Sequence, residues 1–147
     1  MPPRLLDTNI LLRHLTRDDS AKAGRALALL ERVARGQEAL VTTPMVIFET
    51  VFTLQHSYKV ARPQIREQLL PILALRGLAL PNKRRYARAL DLFVAHPRLA
   101  FADAFNAATM EALRVTEIYS WDEGFDVLPG ISRVEPAETG GTQTDAR

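Results

Sequence analysis

Four acidic residues sit where carboxylates can do chemistry. Asp7 ends the run Arg4-Leu5-Leu6-Asp7, and Glu49 lies within Met45-Val46-Ile47-Phe48-Glu49-Thr50-Val51-Phe52. Asp103 follows Phe101-Ala102, and Asp122 closes Ser120-Trp121-Asp122. Each acid also has an ordinary role: Asp7 and Asp103 suit helix caps or first turns, and Asp122 suits a turn. Glu49 is the hardest to dismiss. Its helix is apolar on nearly every side, so little surface is expected on which a carboxylate could be solvated. An unpaired buried charge costs several kcal/mol or more, so it needs a partner.

No Lys or Arg lies between Val41 and Tyr58, and a cation from solution would fit instead. Two carboxylates about 4 Å apart repel by roughly 4 kcal/mol at an effective dielectric of about 20. Converging acids therefore make sense with a divalent metal, or with some of them protonated. The chain has no cysteine and no pair of histidines at metal spacing, so hard oxygen ligands select Mg²⁺ or Mn²⁺ over zinc.

Local signals predict the elements that must position these acids. Arg4 to Asp7 reads as a short buried strand, and Thr8-Asn9 starts a helix over Ile10 to Leu15. Asp18-Asp19-Ser20 caps a helix that runs through Arg35, with Leu27, Leu30 and Ala34 on one face and Gly36 as its stop. Ala39 to Val41 is a second strand, and Thr43-Pro44 opens a helix to about Ser57. Pro63 opens another, to about Leu75, which Pro71 should kink or end early. Gly77 to Leu80 is a weak strand. Asn82 starts a helix striped by Tyr86, Leu90 and Phe93, and Phe101 leads one to about Arg114. Glu117 to Ser120 and Ser132 to Val134 complete the strands.

Strands alternating with helices imply an α/β domain with a mainly parallel sheet covered on both faces. In such a sheet, functional groups gather beyond the carboxyl ends of the strands, where Asp7 and Asp122 fall. One domain is expected over residues 1–135. Residues 136–147 are polar, carry paired glycines, and are expected to be a disordered tail.

Composition narrows the functional classes. The absence of cysteine excludes disulfide frameworks, thiolate metal sites and cysteine nucleophiles. No apolar run reaches the ~18 residues of a membrane span. Asp7, Asn9 and Arg13 interrupt any signal-peptide core, so a cytoplasmic protein is expected. The net charge of +2 permits an anionic partner without demanding one. Lys22, Lys59 and Lys83 are the only lysines, so the remaining cations are arginines, which suit bidentate phosphate contacts.

Taken in register, four segments resemble the PIN-domain family, and within it the VapC-type toxins of bacterial toxin–antitoxin pairs. They are Leu5 to Arg13, Glu49 in its apolar helix, Phe101-Ala102-Asp103-Ala104-Phe105-Asn106-Ala107-Ala108, and Ser120-Trp121-Asp122-Glu123-Gly124-Phe125. The resemblance implies a three-layer α/β/α fold and a metal-dependent endoribonuclease. The family's acidic cluster carries over to Asp7, Glu49, Asp103 and Asp122, with Asp7 and Asp103 as the principal ligands of Mg²⁺ or Mn²⁺. Asn9 matches a polar residue that supports the first acid, and Ser120 matches one that precedes the last. The family often has a second acid two residues after the last one. Here that position is Gly124, with Glu123 and Asp126 as possible substitutes. Asn106, one turn after Asp103, is placed to meet substrate or that carboxylate.

The chemistry expected of such a site is in-line attack on a backbone phosphorus by a water that the metal acidifies. The resemblance implies 5′-phosphate and 3′-hydroxyl products, an RNA substrate, a small VapB-like antitoxin as partner, and a homodimer. Basic residues must offset repulsion between an acidic pocket and a polyanion. Candidates are Arg13, Arg17, Lys83, Arg84, Arg85 and Arg88. Trp121 reads as core by default, or else as a base-stacking residue. His14, His56 and His96 are scattered and read as structural or surface groups. Two rival readings are a PIN-like nucleic-acid or protein interaction module without catalysis, and a phosphatase or receiver-like domain using Asp7 as a covalent nucleophile. The common D-x-D-x-T pattern of the latter is absent, because Asn9 holds the place of the second acid.

Overall fold

A computed structural model describes residues 2–139. Strand β1 (Arg4–Leu5) leads into helices α1 (Thr8–Thr16) and α2 (Ser20–Ala34). Strand β2 (Leu40–Val41) is followed by α3 (Pro44–His56) and α4 (Arg62–Leu73). Strand β3 (Leu78–Ala79) precedes α5 (Lys83–Ala95) and α6 (Phe101–Leu113). Strand β4 (Glu117–Tyr119), a 3₁₀ turn (Glu123–Val127) and β5 (Ser132–Val134) close the chain. No helix among the described residues is long and apolar enough to cross a membrane. Residues 136–139 form neither helix nor strand, and the rest of the expected tail lies outside the described residues.

The arrangement is the expected three-layer α/β/α one, with parallel pairing throughout. Its strands form two ladders, β1-β2-β3 and β4-β5, where a single sheet was expected. Strands of two or three residues make few ladder bonds, so helix packing carries the architecture. The first ladder extends past β1, because Leu6 N–H donates to Val41 (2.8 Å) and the Thr42 hydroxyl donates to the Leu6 carbonyl (3.0 Å). Leu6 and Thr42 are both buried, so the residue just before Asp7 is pinned on both backbone groups.

Helix starts follow local chemistry. Asp19 caps α2 by accepting from Lys22 N–H, and Thr43 caps α3 by accepting from Val46 N–H, with Pro44 at the first helical position. The buried stripe of α2 is Ala23, Ala26, Leu30 and Val33, and Ala34, expected on it, is exposed. Pro71 does not stop α4 at once. The helix continues to Leu73, and the buried Leu69, Ile72 and Leu73 hold its face against the core. The Tyr86, Leu90 and Phe93 stripe of α5 is buried as expected.

Two contacts set helix positions that bear on the site. A Cβ at Gly77 would stand 2.8 Å from Val33 Cγ1 and 3.1 Å from the Val33 and Glu38 carbonyls, so the entry to β3 abuts the end of α2. Arg62 reaches from α4 to the far end of α5. Its guanidinium donates to the carbonyls of Phe93 (2.9 Å) and Leu99 (2.5 Å) and lies 4.0 Å from the centroid of the Phe93 ring. Leu99 is fully buried two residues before α6, so Arg62 anchors the loop that delivers Asp103.

Candidate active site

Asp7 occupies the N-cap of α1, with extended backbone (φ −93°, ψ 160°), and its Oδ1 accepts from Thr8 N–H at 2.8 Å. The capping bond uses only one carboxylate oxygen, and the residue is exposed, so capping leaves the other oxygen open to a ligand. Thr8 is buried, and its hydroxyl donates to Glu49 Oε2 at 3.0 Å across 41 residues of chain. Thr8 thus joins Asp7 to Glu49, one through its backbone and the other through its side chain. Nothing in its sequence context marks that second bond.

Glu49 corrects an expectation. It is exposed, not buried. Helix α3 buries Val46, Ile47, Thr50, Val51 and Leu54, while Met45 and Phe52 lie open beside Glu49 on the outer face. Those exposed apolar side chains made the helix look buried all round.

Asp103 lies in the first turn of α6, half-buried, and Ala100 rather than an acid takes the N-cap. Burial pushes its carboxyl above the usual range, and the neighbouring Asp122 carboxyl pushes it the same way, by accepting a hydrogen bond from the protonated Asp103 and by its negative charge. The two acids therefore meet. Asp122 is itself held in place, its Oδ1 accepting from Gly124 N–H (2.8 Å) while its own N–H donates to Ser120 Oγ (2.9 Å). Gly124 and Ser120 act here as positioning residues for Asp122.

Helix α3 packs on α6 near Glu49 and Asp103. The Phe48 ring lies 5.1 Å from Phe101 and 5.2 Å from Phe105, and these three residues flank Glu49 and Asp103 in sequence. Among the described residues, no ion pair involves Asp7, Glu49, Asp103 or Asp122. Elsewhere, by contrast, Asp18, Glu38, Asp91, Glu111, Asp126 and Glu135 each take an arginine.

The donor set fits a hard divalent cation. No three His, Asp or Glu side chains among the described residues close into a ready-made cage. A carboxyl pair such as Asp103 and Asp122 is nevertheless the kind of donor set that suits Mg²⁺, which takes one or two carboxylates and keeps several waters. Gly124 supplies no second acid. A Cβ there would sit 3.0 Å from Asp122 Oδ1 and 3.6 Å from Leu99 Cδ2. Asp126 is no substitute either, being held by Arg133 at 3.0 and 3.2 Å. Glu123 is exposed and makes no ion pair among the described residues. Asn9 forms no side-chain hydrogen bond to Asp7, and Asn106 is exposed without one to Asp103.

Several expected phosphate contacts are committed elsewhere. Arg13 binds Asp18 at 3.0 Å, and that acid also accepts from the Tyr58 hydroxyl at 2.8 Å. Lys83 donates to the Leu75 carbonyl at 2.7 Å and is held below the ordinary lysine range by burial. Arg88 grips Glu111 with two bonds of 2.8 Å. Arg17 and Arg84 remain exposed. A groove of about 650 Å³ between α1 and α2 is lined by Arg4, Arg13, Lys22, Arg25, Arg32 and a single acid, Glu38, which binds Arg4 at 3.3 Å and Arg32 at 3.2 Å, leaving Lys22 and Arg25 without an ion pair among the described residues. The periodicity of α2 held no sign of it, because its cations belong to three separate elements. Trp121 is 73% exposed, which overturns the core reading. His14 is half-buried and pushed down by burial, the His56 ring lies tilted 4.4 Å from that of Phe52, and His96 ends α5.

The PIN domain family model matches residues 4–131 of this chain. Ribonuclease VapC13 of Mycobacterium tuberculosis is 32% identical over 114 residues, covering 74% of this chain and 82% of that one. A VapC ribonuclease of Mycobacterium bovis matches equally well. A VapC ribonuclease of Aquifex aeolicus is 27% identical over 135 residues, covering 92% of this chain and 98% of its own length. The matched span contains all four acids, both of their pairings and every positioning residue described above, and the chain belongs to the PIN-domain family.

Proposed function

We propose that this chain is a Mg²⁺- or Mn²⁺-dependent endoribonuclease and the toxin of a type II toxin–antitoxin pair, acting on RNA in the cytoplasm. One observation carries the reading: among the described residues these four acids, from four elements, pair with no protein cation, and the Asp122 carboxyl lies close enough to Asp103 to raise it. Like charges brought together without a counter-charge are concentrated at functional sites. Asp7 and Asp103 would hold the cation, with Asp122 and Glu49 completing the acidic set.

When bound, the divalent cation supplies charge for the phosphoryl oxygens and acidifies water near them. The chain's own groups do the rest. Thr8 holds one Glu49 carboxylate oxygen, and Gly124 and Ser120 fix Asp122 beside Asp103. Any of these carboxylates that stays ionised can accept a proton from an attacking water. The relatives are named ribonucleases, which supports RNA as substrate; a VapB-like antitoxin as partner and a homodimer belong to the same proposal.

The test is cleavage of RNA by metal-stripped protein with and without added Mg²⁺ or Mn²⁺. Activity that appears with metal, stops with EDTA and is lost in Asp7→Ala and Asp103→Ala supports the reading. Full activity after metal removal refutes it. RNA binding without cleavage at any metal concentration favours instead the non-catalytic interaction module, for which the lack of a three-acid cage among the described residues is the supporting observation.

A further inference from the structure

Trp121 is the only tryptophan of the chain, and it stands 73% exposed immediately before Asp122. Tyr119, two residues earlier on the outward side of β4, is 75% exposed. Leaving two large aromatic faces in water forgoes the stabilisation that burial would provide. Beside Tyr119 on the same strand, the inward Ile118 is packed on the core, so the strand that leads to Trp121 is held in place. Trp121 is not surrounded by an apolar patch in sequence. Ser120 and the exposed Asp122 and Glu123 flank it.

The backbone on either side is also immobilised. Ser120 N–H donates to the Val134 carbonyl (3.1 Å), and Arg133 donates to the Ser120 carbonyl (3.2 Å). Asp122 is held by Gly124 and Ser120, and its carboxyl meets Asp103. Consecutive Cα atoms are about 3.8 Å apart, so the indole is anchored one residue from a carboxylate of the acidic pair. A flat, exposed, amphipathic ring on a rigid base beside such a site suits the face of an unpaired nucleobase. Stacking of this kind is sequence-tolerant, because every base has a π-face.

We infer that Trp121 is a nucleobase-stacking residue that positions single-stranded RNA at the Asp103–Asp122 pair, a role that rests on the ribonuclease reading. It makes the enzyme select unpaired segments, since a base inside a duplex keeps its faces covered. Trp121 touches the substrate's base and takes no part in bond breaking.

The lone indole reports on itself. Titrating the full chain, carrying Asp103→Asn to prevent cleavage, with oligoadenylate should quench its fluorescence. An RNA of the same length made of abasic nucleotides should leave it unchanged. Trp121→Ala should weaken oligoadenylate binding, followed by a label on the RNA, by roughly 5- to 150-fold. Trp121→Phe should recover most of that loss. In the cleaving protein, Trp121→Ala should raise KM far more than it lowers kcat. Cleavage by wild type without quenching overturns the role of Trp121 and leaves the ribonuclease reading standing, whereas quenching without any metal-dependent cleavage does the reverse. Equal quenching by abasic RNA, or a spectral shift that follows protein concentration instead of RNA, assigns the ring to another contact and overturns the inference.

Discussion

Replacing Asp103 by Asn separates an acid kept for function from one kept for stability, because the two effects have opposite signs. In metal-free protein the Asp103 and Asp122 carboxyls are in contact, and burial further disfavours charge on Asp103. Two such charges about 4 Å apart repel by roughly 4 kcal/mol at an effective dielectric of about 20. Asp122 is exposed and Asp103 only half-buried, so solvent screening reduces this to about 0.5–1.5 kcal/mol. Asn removes one charge, keeps the shape, and can donate to the Asp122 carboxylate. Asp103→Asn should therefore melt roughly 2–5 °C higher than wild type in EDTA at neutral pH.

The pH dependence of that difference has a definite direction. The Asp103 carboxyl is raised in the folded state, so the fold binds more protons than the unfolded chain between the unfolded and folded values. Wild-type stability in EDTA should fall as pH rises through that window, and the variant should lack this component. Added Mg²⁺ should stabilise wild type by a few kcal/mol at saturation and the variant much less, while RNA cleavage is lost in the variant. Thermal melts in EDTA and in Mg²⁺ across pH, beside a cleavage assay, measure all of this. An Asp103→Asn variant that melts lower than wild type in EDTA, or that gains as much from Mg²⁺, refutes the idea that the pair is held together for a cation.

Other substitutions test the supporting framework. Thr8→Val keeps the volume but removes the bond to Glu49, and should cost about 1 kcal/mol in urea unfolding and slow cleavage, with Thr8→Ser restoring both. Arg62→Ala frees the Phe93 and Leu99 carbonyls and removes the contact with the Phe93 ring, so a loss of about 2–4 kcal/mol is expected in the same assay. Gly77→Ala forces a Cβ to 2.8 Å from Val33 Cγ1 and to 3.1 Å from two backbone carbonyls, which should cost about 1–3 kcal/mol without changing metal binding by the folded fraction. Gly124→Asp should not create a better metal site, because its Cβ would stand 3.0 Å from Asp122 Oδ1. Cleavage falling rather than rising is the outcome expected.

What could be read from the sequence was what local chemistry decides. The caps of α2 and α3, Pro44 at a first helical position, and the Tyr86–Leu90–Phe93 stripe depend on neighbours a few residues away, and each stands in the structure as expected. The places where the strands end, and hence the settings of Asp7 and Asp122, followed from the same signals. What could not be read were choices made in three dimensions. Glu49 reads as buried in sequence because periodicity cannot tell which apolar residues of α3 face water, and Met45 and Phe52 do. Arg13, Lys83 and Arg88 read as free because their partners lie on other turns or other elements.

Family resemblance marked the four acids, yet it did not say how they associate. That depends on single hydrogen bonds from Thr8, Ser120 and Gly124, small residues whose side chains or backbone N–H groups position the larger ones. Gly124 illustrates the point. Judged by motif it is a missing acid, but judged by contact it is the residue whose small size and N–H allow Asp122 to turn toward Asp103. A deficit in the pattern and a gain in positioning are therefore the same substitution. It follows that acids cannot simply be counted to decide whether such a site is competent. The relevant question is whether each acid present is free of a cation and fixed by a neighbour, and Asp7, Glu49 and Asp122 each accept a hydrogen bond from an uncharged group while Asp103 leans on Asp122.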